Sequence, residues 1–118
     1  MNRRDTTALL DRLEAALADS SEVYIPKGVD RAAYVAGIAD SIRKNRCAPF
    51  PLAAVVTDPG FPDLAVGETI SGTCVAHYQG RWLVYEELRG RFLCFWGTDR
   101  GNLGAPGIFG TPLYCWAT

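Results

Sequence analysis

The chain has 118 residues, of which 48% are apolar and 21% are charged, and its formal net charge at pH 7 is −1. This length suits one domain rather than two, and the apolar share excludes a disordered tail. A chain so close to neutral lacks the positive electrostatic potential that attracts a polyanion, which argues against nucleic-acid binding. We therefore predict a single globular domain over residues 1–118.

Two amphipathic helices are predicted in the first part of the chain, at about residues 5–18 and 30–45. The apolar side chains with the spacing of one helical face are Leu9, Leu10, Leu13, Ala16 and Leu17 in the first helix, and Tyr34, Ile38 and Ile42 in the second. This spacing forms one stripe that packs against a core. Asp30 is the expected N-cap of the second helix. The apolar run at residues 23–25 is typical of a short strand.

Residues 69–96 have the pattern of a three-stranded antiparallel meander, because two glycine-containing turns separate three strand-like runs. The turns are Gln79-Gly80 and Arg89-Gly90. If both are two-residue hairpin loops, Cys74 lies opposite Tyr85, and Tyr85 lies opposite Cys94.

Side chains alternate between the two faces along a strand, so this register sorts the meander into two surfaces. One surface carries Cys74, Ala76, Tyr78, Leu83, Tyr85, Phe92, Cys94 and Trp96. The other carries Val75, His77, Trp82, Val84, Leu93 and Phe95, with Glu86 near its end. Both surfaces are apolar, so either the sheet lies between the helices and the C-terminal segment, or one aromatic face is left for a partner.

The remaining segments complete the predicted sheet. Residues 52–56 are a wholly apolar run suited to a buried strand, residues 97–111 are predicted to be a long ordered loop, and residues 113–116 to be a final strand. The predicted fold class is α+β, with two N-terminal helices packed on a four- to five-stranded, mainly antiparallel sheet. The sheet and the glycine-rich loop occupy about residues 52–117.

The cysteines are widely spaced and form no C-x-x-C pair, which favours structural thiols over a metal site or a disulfide. They are Cys47, Cys74, Cys94 and Cys115. In the predicted register Cys74 and Cys94 lie two strand spacings apart, roughly 9.5 Å, which is too far for a direct disulfide. No metal and no cofactor is predicted.

Charged residues interrupt the N-terminal segment of the sequence. No stretch reaches the roughly 18 apolar residues that a membrane span requires. We therefore expect a cytoplasmic protein without a membrane partner.

Catalytic equipment is sparse, because His77 is the single histidine and a regular strand places Cys74 on the opposite face from it. A small-molecule binder or minor enzyme would need a pocket between the sheet and the 97–111 loop. The residues available to such a pocket are Cys74, His77, Cys94 and Asp99. We keep this alternative beside a non-enzymatic function.

Most aromatic residues follow residue 49, and aromatic side chains with arginine are the composition that protein interfaces favour. A compact, slightly acidic α+β domain of this size is similar in size and style to the immunity proteins that neutralise bacterial toxins. The resemblance implies a protein-binding module that occludes a toxin. The expected contact residues are Arg81, Trp82, Glu86, Asp99 and Arg100, with Trp82 as the anchor. The alternative partner is a second copy of the chain, which would form a homodimer through the last strand or the meander edge.

Overall fold

The computed structural model describes residues 3–118, so the first two residues of the predicted domain lie outside the described residues. The elements in chain order are α1 (Arg3–Ala16), α2 (Arg31–Lys44), β1 (Arg46–Val56), β2 (Thr69–Tyr78), β3 (Arg81–Glu86), β4 (Arg91–Trp96), β5 (Gly104–Ala105), β6 (Phe109–Gly110) and α3 (Pro112–Ala117). Two N-terminal helices therefore precede a mainly antiparallel sheet, which confirms the α+β fold class. The sheet described over residues 3–118 has six strands rather than four or five.

The two predicted helices form close to their expected bounds. The side chain of Asp30 caps α2 by accepting a hydrogen bond from the amide of Ala32 at 3.1 Å, as predicted. The strand expected at residues 23–25 is wrong, because this segment is irregular and no strand within residues 3–118 pairs with it. Val23 is nevertheless buried, and its amide bonds to the carbonyl of Ser20 in a turn.

The sheet closes on itself to form a small barrel. β1 pairs with β2, β2 with β3 and β3 with β4, all antiparallel. β5 then pairs with β1 in parallel and with β4 in antiparallel orientation, which completes a ring of five strands. β6 pairs with β4 beside the ring. Closure of this kind needs strong strand curvature and gives the sheet an inside and an outside.

Two apolar cores explain why both faces of the meander are apolar. The inner core fills the barrel and contains Leu52, Ala54, Val56, Phe61, Ile70, Cys74, Trp82, Val84, Leu93, Phe95, Leu103 and Ala105. The outer core lies under the three helices and contains Leu9, Leu13, Leu17, Val23, Ala39, Ile42, Val75, Ala76, Leu83, Tyr85, Phe92, Cys94, Leu113, Cys115 and Trp116. The predicted placement of the sheet between the helices and the C-terminal segment is right only in part, because the inner face is covered by Leu103 and Ala105 of that segment and also by the curvature of its own sheet.

The first hairpin has the predicted register only near its turn. Gln79 and Gly80 both have positive φ angles, 49° and 82°, as a type I′ turn requires, and Ala76 pairs with Leu83. Val75 is then an extra residue in β2, so that Cys74 pairs with Val84 rather than with Tyr85. This β-bulge moves Cys74 from the predicted outer face to the inner core.

The second hairpin has a four-residue loop, residues 87–90, instead of a two-residue loop. Tyr85 therefore pairs with Phe92 rather than with Cys94. The predicted register is wrong by two residues here. Since side chains repeat every second residue, a shift of two leaves every face assignment in β4 unchanged.

The C-terminal segment is helical, so the strand predicted at residues 113–116 is wrong. The hydroxyl of Thr111 accepts a hydrogen bond from the amide of Tyr114 at 3.3 Å, and Pro112 occupies the first turn. A threonine cap followed by proline is a helix start signal that outweighs the strand propensity of the short apolar run. The segment before α3, predicted as a loop, contains the short strands β5 and β6, and it carries Leu103 into the inner core and Ile108 against the outer core.

Candidate functional site

The predicted contact residues are divided between the two ends of β3. Arg81 is the first residue of this strand, next to the Gln79-Gly80 turn, and Glu86 is the last. The two ends differ in what they expose to solvent. We call them the open end, which carries Arg81, and the sealed end, which carries Glu86.

A row of three side chains crosses the outer face of the open end. Arg81 pairs in register with Tyr78 on one side and with Trp96 on the other, so the three side chains point the same way. Tyr78 is 52% exposed and Trp96 is 46% exposed. Sequence reasoning placed Tyr78 and Trp96 on one face but did not select them as contacts. The sequence did contain a signal that these two residues are exposed, because Tyr78 lies beside the turn and Trp96 lies at the end of a strand.

Arg81 is held in place by the C-terminal helix. Its Nη1 donates a hydrogen bond to the carbonyl oxygen of Trp116 at 2.8 Å, and its guanidinium lies 5.8 Å from the centre of the Trp116 ring. The Trp116 indole nitrogen in turn donates to Ser41 Oγ at 2.9 Å. These contacts fix the guanidinium beside the exposed row.

A shallow groove of about 450 Å³ continues the row onto the helices. It lies between α2 and α3, and Arg81 borders both the groove and the row. Its lining includes Tyr34, Ile38, Ser41, Arg81 and Trp116. The open end is therefore an apolar and aromatic surface centred on one fixed cation.

Trp82 is buried, which argues against the prediction that it anchors a partner. It is 8% exposed, and its indole nitrogen donates to the carbonyl of Gly97 at 2.8 Å. His77 stacks on its ring with centroids 4.6 Å apart. The side chain of Trp82 points into the barrel because side chains alternate along β3, and barrel closure buries that face.

Asp99 and Arg100 lie in a loop that adjoins the open end. The amide of Gly97 donates to the carbonyl of Gly80 at 2.9 Å, which ties this loop to the β2–β3 turn. Asp99 Oδ1 accepts from the amide of Gly101 at 3.0 Å, an Asx-type turn contact. The guanidinium of Arg100 lies 4.2 Å from the centre of the Phe50 ring and 5.9 Å from that of Trp82. Arg81, Asp99 and Arg100 thus share one end of the molecule.

The sealed end is an ion-pair network built around the buried carboxylate of Glu86, which argues against the predicted contact role of this residue. The Glu86 side chain is 2% exposed; it accepts a hydrogen bond from Arg91 Nε at 2.6 Å and another from Arg89. Arg91 also pairs with Asp63 at 3.2 Å. Two cations and two carboxylates satisfy one another here, so the carboxylate of Glu86 is closed to a partner.

The residues of the alternative pocket are not brought together. The Val75 bulge places Cys74 in the inner core, whereas Cys94 belongs to the outer core on the other side of the sheet. Leu103 and Ala105 of the 97–111 loop fill the space next to the barrel interior. Among residues 3–118, no three His, Cys, Asp or Glu side chains are grouped as metal ligands.

The strand edges predicted for a homodimer are already paired. The last segment is the helix α3, β2 pairs with β1, and β4 pairs with both β5 and β6. In the described part of the chain, no helix has the length and apolar character needed to cross a membrane.

Comparison with known proteins adds no further assignment. No family model matches the chain, and the searches of curated proteins and of solved structures gave no significant match.

Proposed function

We propose that this protein is a non-enzymatic protein-binding module, most concretely an immunity-type inhibitor that binds and occludes a bacterial toxin through its open end. The observation that carries the proposal is the row in which Tyr78 and Trp96, both about half exposed, flank Arg81. Tryptophan, tyrosine and arginine are the residues in which binding hot spots are richest.

The open end is already ordered in a way that favours tight binding. Arg81 is held by the carbonyl of Trp116, and Arg100 lies over the Phe50 ring. Side chains that are fixed before association lose less conformational entropy when a partner docks. The two guanidinium groups outnumber Asp99 on this surface, so the complementary patch of the partner is acidic or rich in carbonyl oxygens.

We also propose a cytoplasmic location. The four cysteines are free, and three of them are buried. Free thiols are typical of proteins in a reducing compartment. Fractionation of cells that carry a tagged full-length chain tests this part of the proposal, and recovery in an extracytoplasmic fraction would contradict it.

The test compares two double variants in quantitative affinity capture from the native cell. Tyr78→Ala/Trp96→Ala removes the exposed aromatics of the open end, and Tyr24→Ala/Leu88→Ala removes side chains of equal or greater exposure elsewhere. We expect a partner that is retained by the wild type and by the control pair but lost by the open-end pair. With the purified partner, the open-end pair should raise Kd by about 100-fold, or about 3 kcal/mol.

The inhibitor function needs a second measurement. The captured partner, expressed alone, should arrest growth of the host, and co-expression of the wild type but not of the open-end pair should restore it. A partner that binds both double variants equally contradicts the site. A partner that is harmless when expressed alone contradicts the toxin-inhibitor function.

A further inference from the structure

Two β-bulges bring a pair of thiols together at the rim of the barrel. Between the pairs Arg46–Ala76 and Phe50–Cys74, β1 has three residues where β2 has only Val75. The widened stretch of β1 contains Cys47, and the bulge of β2 at Val75 turns Cys74 inward. The Cys47 Sγ atom lies 4.0 Å from the carbonyl oxygen of Cys74.

The two thiols have different access to solvent. Cys74 is fully buried, and its thiol donates to the carbonyl of Ala76 at 3.4 Å. Cys47 is only partly buried at the edge of the inner core, so it is the member of the pair that borders solvent. One member of the pair is therefore accessible and the other is sheltered directly behind it.

The surroundings favour a thiolate at the accessible position. The neighbouring Cys74 side chain, together with the positive charge of Arg100, lowers the pKa of Cys47 although partial burial opposes this. The same interaction between the two side chains, and then burial, raises the pKa of Cys74. Arg100 is kept nearby by its stacking on Phe50, the residue that pairs with Cys74. Thiolates are the reactive form of cysteine.

The other two cysteines provide an internal comparison. Cys94 and Cys115 are both buried in the outer core, and burial raises the pKa of each thiol. They lack both the exposure and the thiolate-favouring contacts of Cys47. Any selective thiol chemistry should therefore begin at Cys47.

We propose that Cys47 and Cys74 form an oxidisable thiol pair, in which Cys47 reacts with a hydroperoxide and Cys74 then closes a disulfide between β1 and β2. The two residues lie on neighbouring strands, with the Cys47 Sγ atom 4.0 Å from the carbonyl oxygen of Cys74, and a disulfide requires their Cα atoms to lie within about 4.4–6.8 Å of each other. The proposal goes beyond the binding function and does not depend on it.

The chemistry balances in two steps. The Cys47 thiolate attacks one oxygen of the hydroperoxide, the O–O bond breaks, and the departing alkoxide or hydroxide takes a proton from solvent, which leaves Cys47 as a sulfenic acid. The Cys74 sulfur then attacks the Cys47 sulfur, the S–O bond breaks, and the leaving hydroxide takes the Cys74 proton to form water. Two electrons pass from the two thiols to the peroxide.

The full-length protein is treated with hydrogen peroxide, quenched, alkylated under denaturing conditions and analysed by intact mass and peptide mapping. We expect the wild type to lose two of its four free thiols and the mass of two hydrogen atoms, with a cross-link between the Cys47 and Cys74 peptides. The Cys94→Ser/Cys115→Ser variant should give the same cross-link. Two results with the wild type alone would overturn the proposal. One is a cross-link through Cys94 or Cys115, and the other is the survival of all four thiols after peroxide treatment.

Two further variants assign the roles within the pair. Cys74→Ser should gain one oxygen atom at Cys47, trapped by a dione reagent that reacts with sulfenic acids, whereas Cys47→Ser should leave Cys74 reduced. In the native protein, Arg100→Gln should slow iodoacetamide alkylation of Cys47 by about threefold to tenfold. The control Arg4→Gln removes an exposed cation of α1 and should leave that rate unchanged. Equal rates in all three proteins would contradict the role of Arg100.

Discussion

The two ends of β3 contain similar residue types but use them in opposite ways. At the sealed end, Arg89 and Arg91 are neutralised by Glu86 and Asp63, and Arg91 also lies over the rings of Phe61 and Phe109. At the open end, Arg81 bonds to a backbone carbonyl and Arg100 lies over aromatic rings. The arginines of the sealed end are neutralised by carboxylates, one of them buried, whereas the arginines of the open end keep their charge available to a partner.

This difference shows that arginine and aromatic composition alone does not identify an interface. Both ends contain arginine and aromatic side chains. Only the open end combines exposed aromatic rings with cations that no carboxylate neutralises among the described contacts. Burying an unpaired charge is costly, so the buried Glu86 carboxylate stays with its own arginines and is not offered to a partner. The three predictions below test whether the two ends really differ in this way.

The largest effect is expected from Trp82→Ala, which removes the inner-core side chain beneath the open end. We expect it to lower the free energy of unfolding by about 4 kcal/mol, because a buried tryptophan is replaced by a cavity and the Gly97 carbonyl loses its donor. Trp96→Ala, on the exposed row, should cost less than about 1 kcal/mol. Urea denaturation measures both. Equal losses would mean that Trp96, like Trp82, is a core residue, and would remove the basis of the open end.

The next effect is expected from Glu86→Gln at the sealed end. It leaves Arg89 and Arg91 without their buried carboxylate and should lower the free energy of unfolding by about 3 kcal/mol. The adjacent Glu87 is exposed, so Glu87→Gln is the matched control and should change stability by less than about 0.5 kcal/mol. If Glu86→Gln were as stable as the wild type but had lost affinity for the partner, the assignment of the two ends would be reversed.

The smallest effect concerns the loss of folding stability at acid pH. Burial alone would raise the pKa of Asp63, but hydrogen bonds from its own backbone amide and from Arg91, with the charges of Arg91 and Arg89, hold that pKa below its usual value. Ionised Asp63 therefore stabilises the folded state above the unfolded pKa of about 3.9, and this contribution is lost as the pH falls through the lower folded value.

Chemical denaturation of the wild type and of Asp63→Asn at a series of pH values measures this contribution. The stability difference between the two proteins should be constant above about pH 5 and should shrink below about pH 4. A difference that stays constant down to low pH would mean that Asp63 does not contribute through its charge.

The sequence predicted those elements that are determined by residues close to one another in the chain. The stripe Tyr34, Ile38 and Ile42 with the Asp30 cap specified α2, and the Gln79-Gly80 turn specified the first three pairs of its hairpin. Asp99, Arg81 and Arg100 were expected on a contact surface and do lie together at one end. The face of every residue in β3 and β4 followed from alternation, and survived an error of two residues in the second register.

The rest depends on contacts between distant segments. Barrel closure requires β5 to reach both β1 and β4, and no periodicity in residues 97–111 reveals that pairing. When the closure of the barrel is not known, Trp82 resembles an interface anchor, because nothing in the neighbouring sequence indicates that it is buried. The bulge at Val75 is equally hidden, because one extra residue in an apolar strand leaves the sequence pattern almost unchanged. Predicting a regular strand therefore put Cys74 on the wrong face.

Closure of the ring rests on its shortest strand. β5 has two residues, pairs with β1 at two positions and with β4 at one, and is tied to β1 by the bonds of Val55 to Leu103 and of Thr57 to Ala105. Cooperative opening begins where the fewest backbone bonds must break. We therefore expect β5 to be the first strand of the ring to open, while the helices and strands β2, β3 and β4 stay folded. The amides of Val55 and Thr57 should then be the first of the ring to exchange their hydrogens.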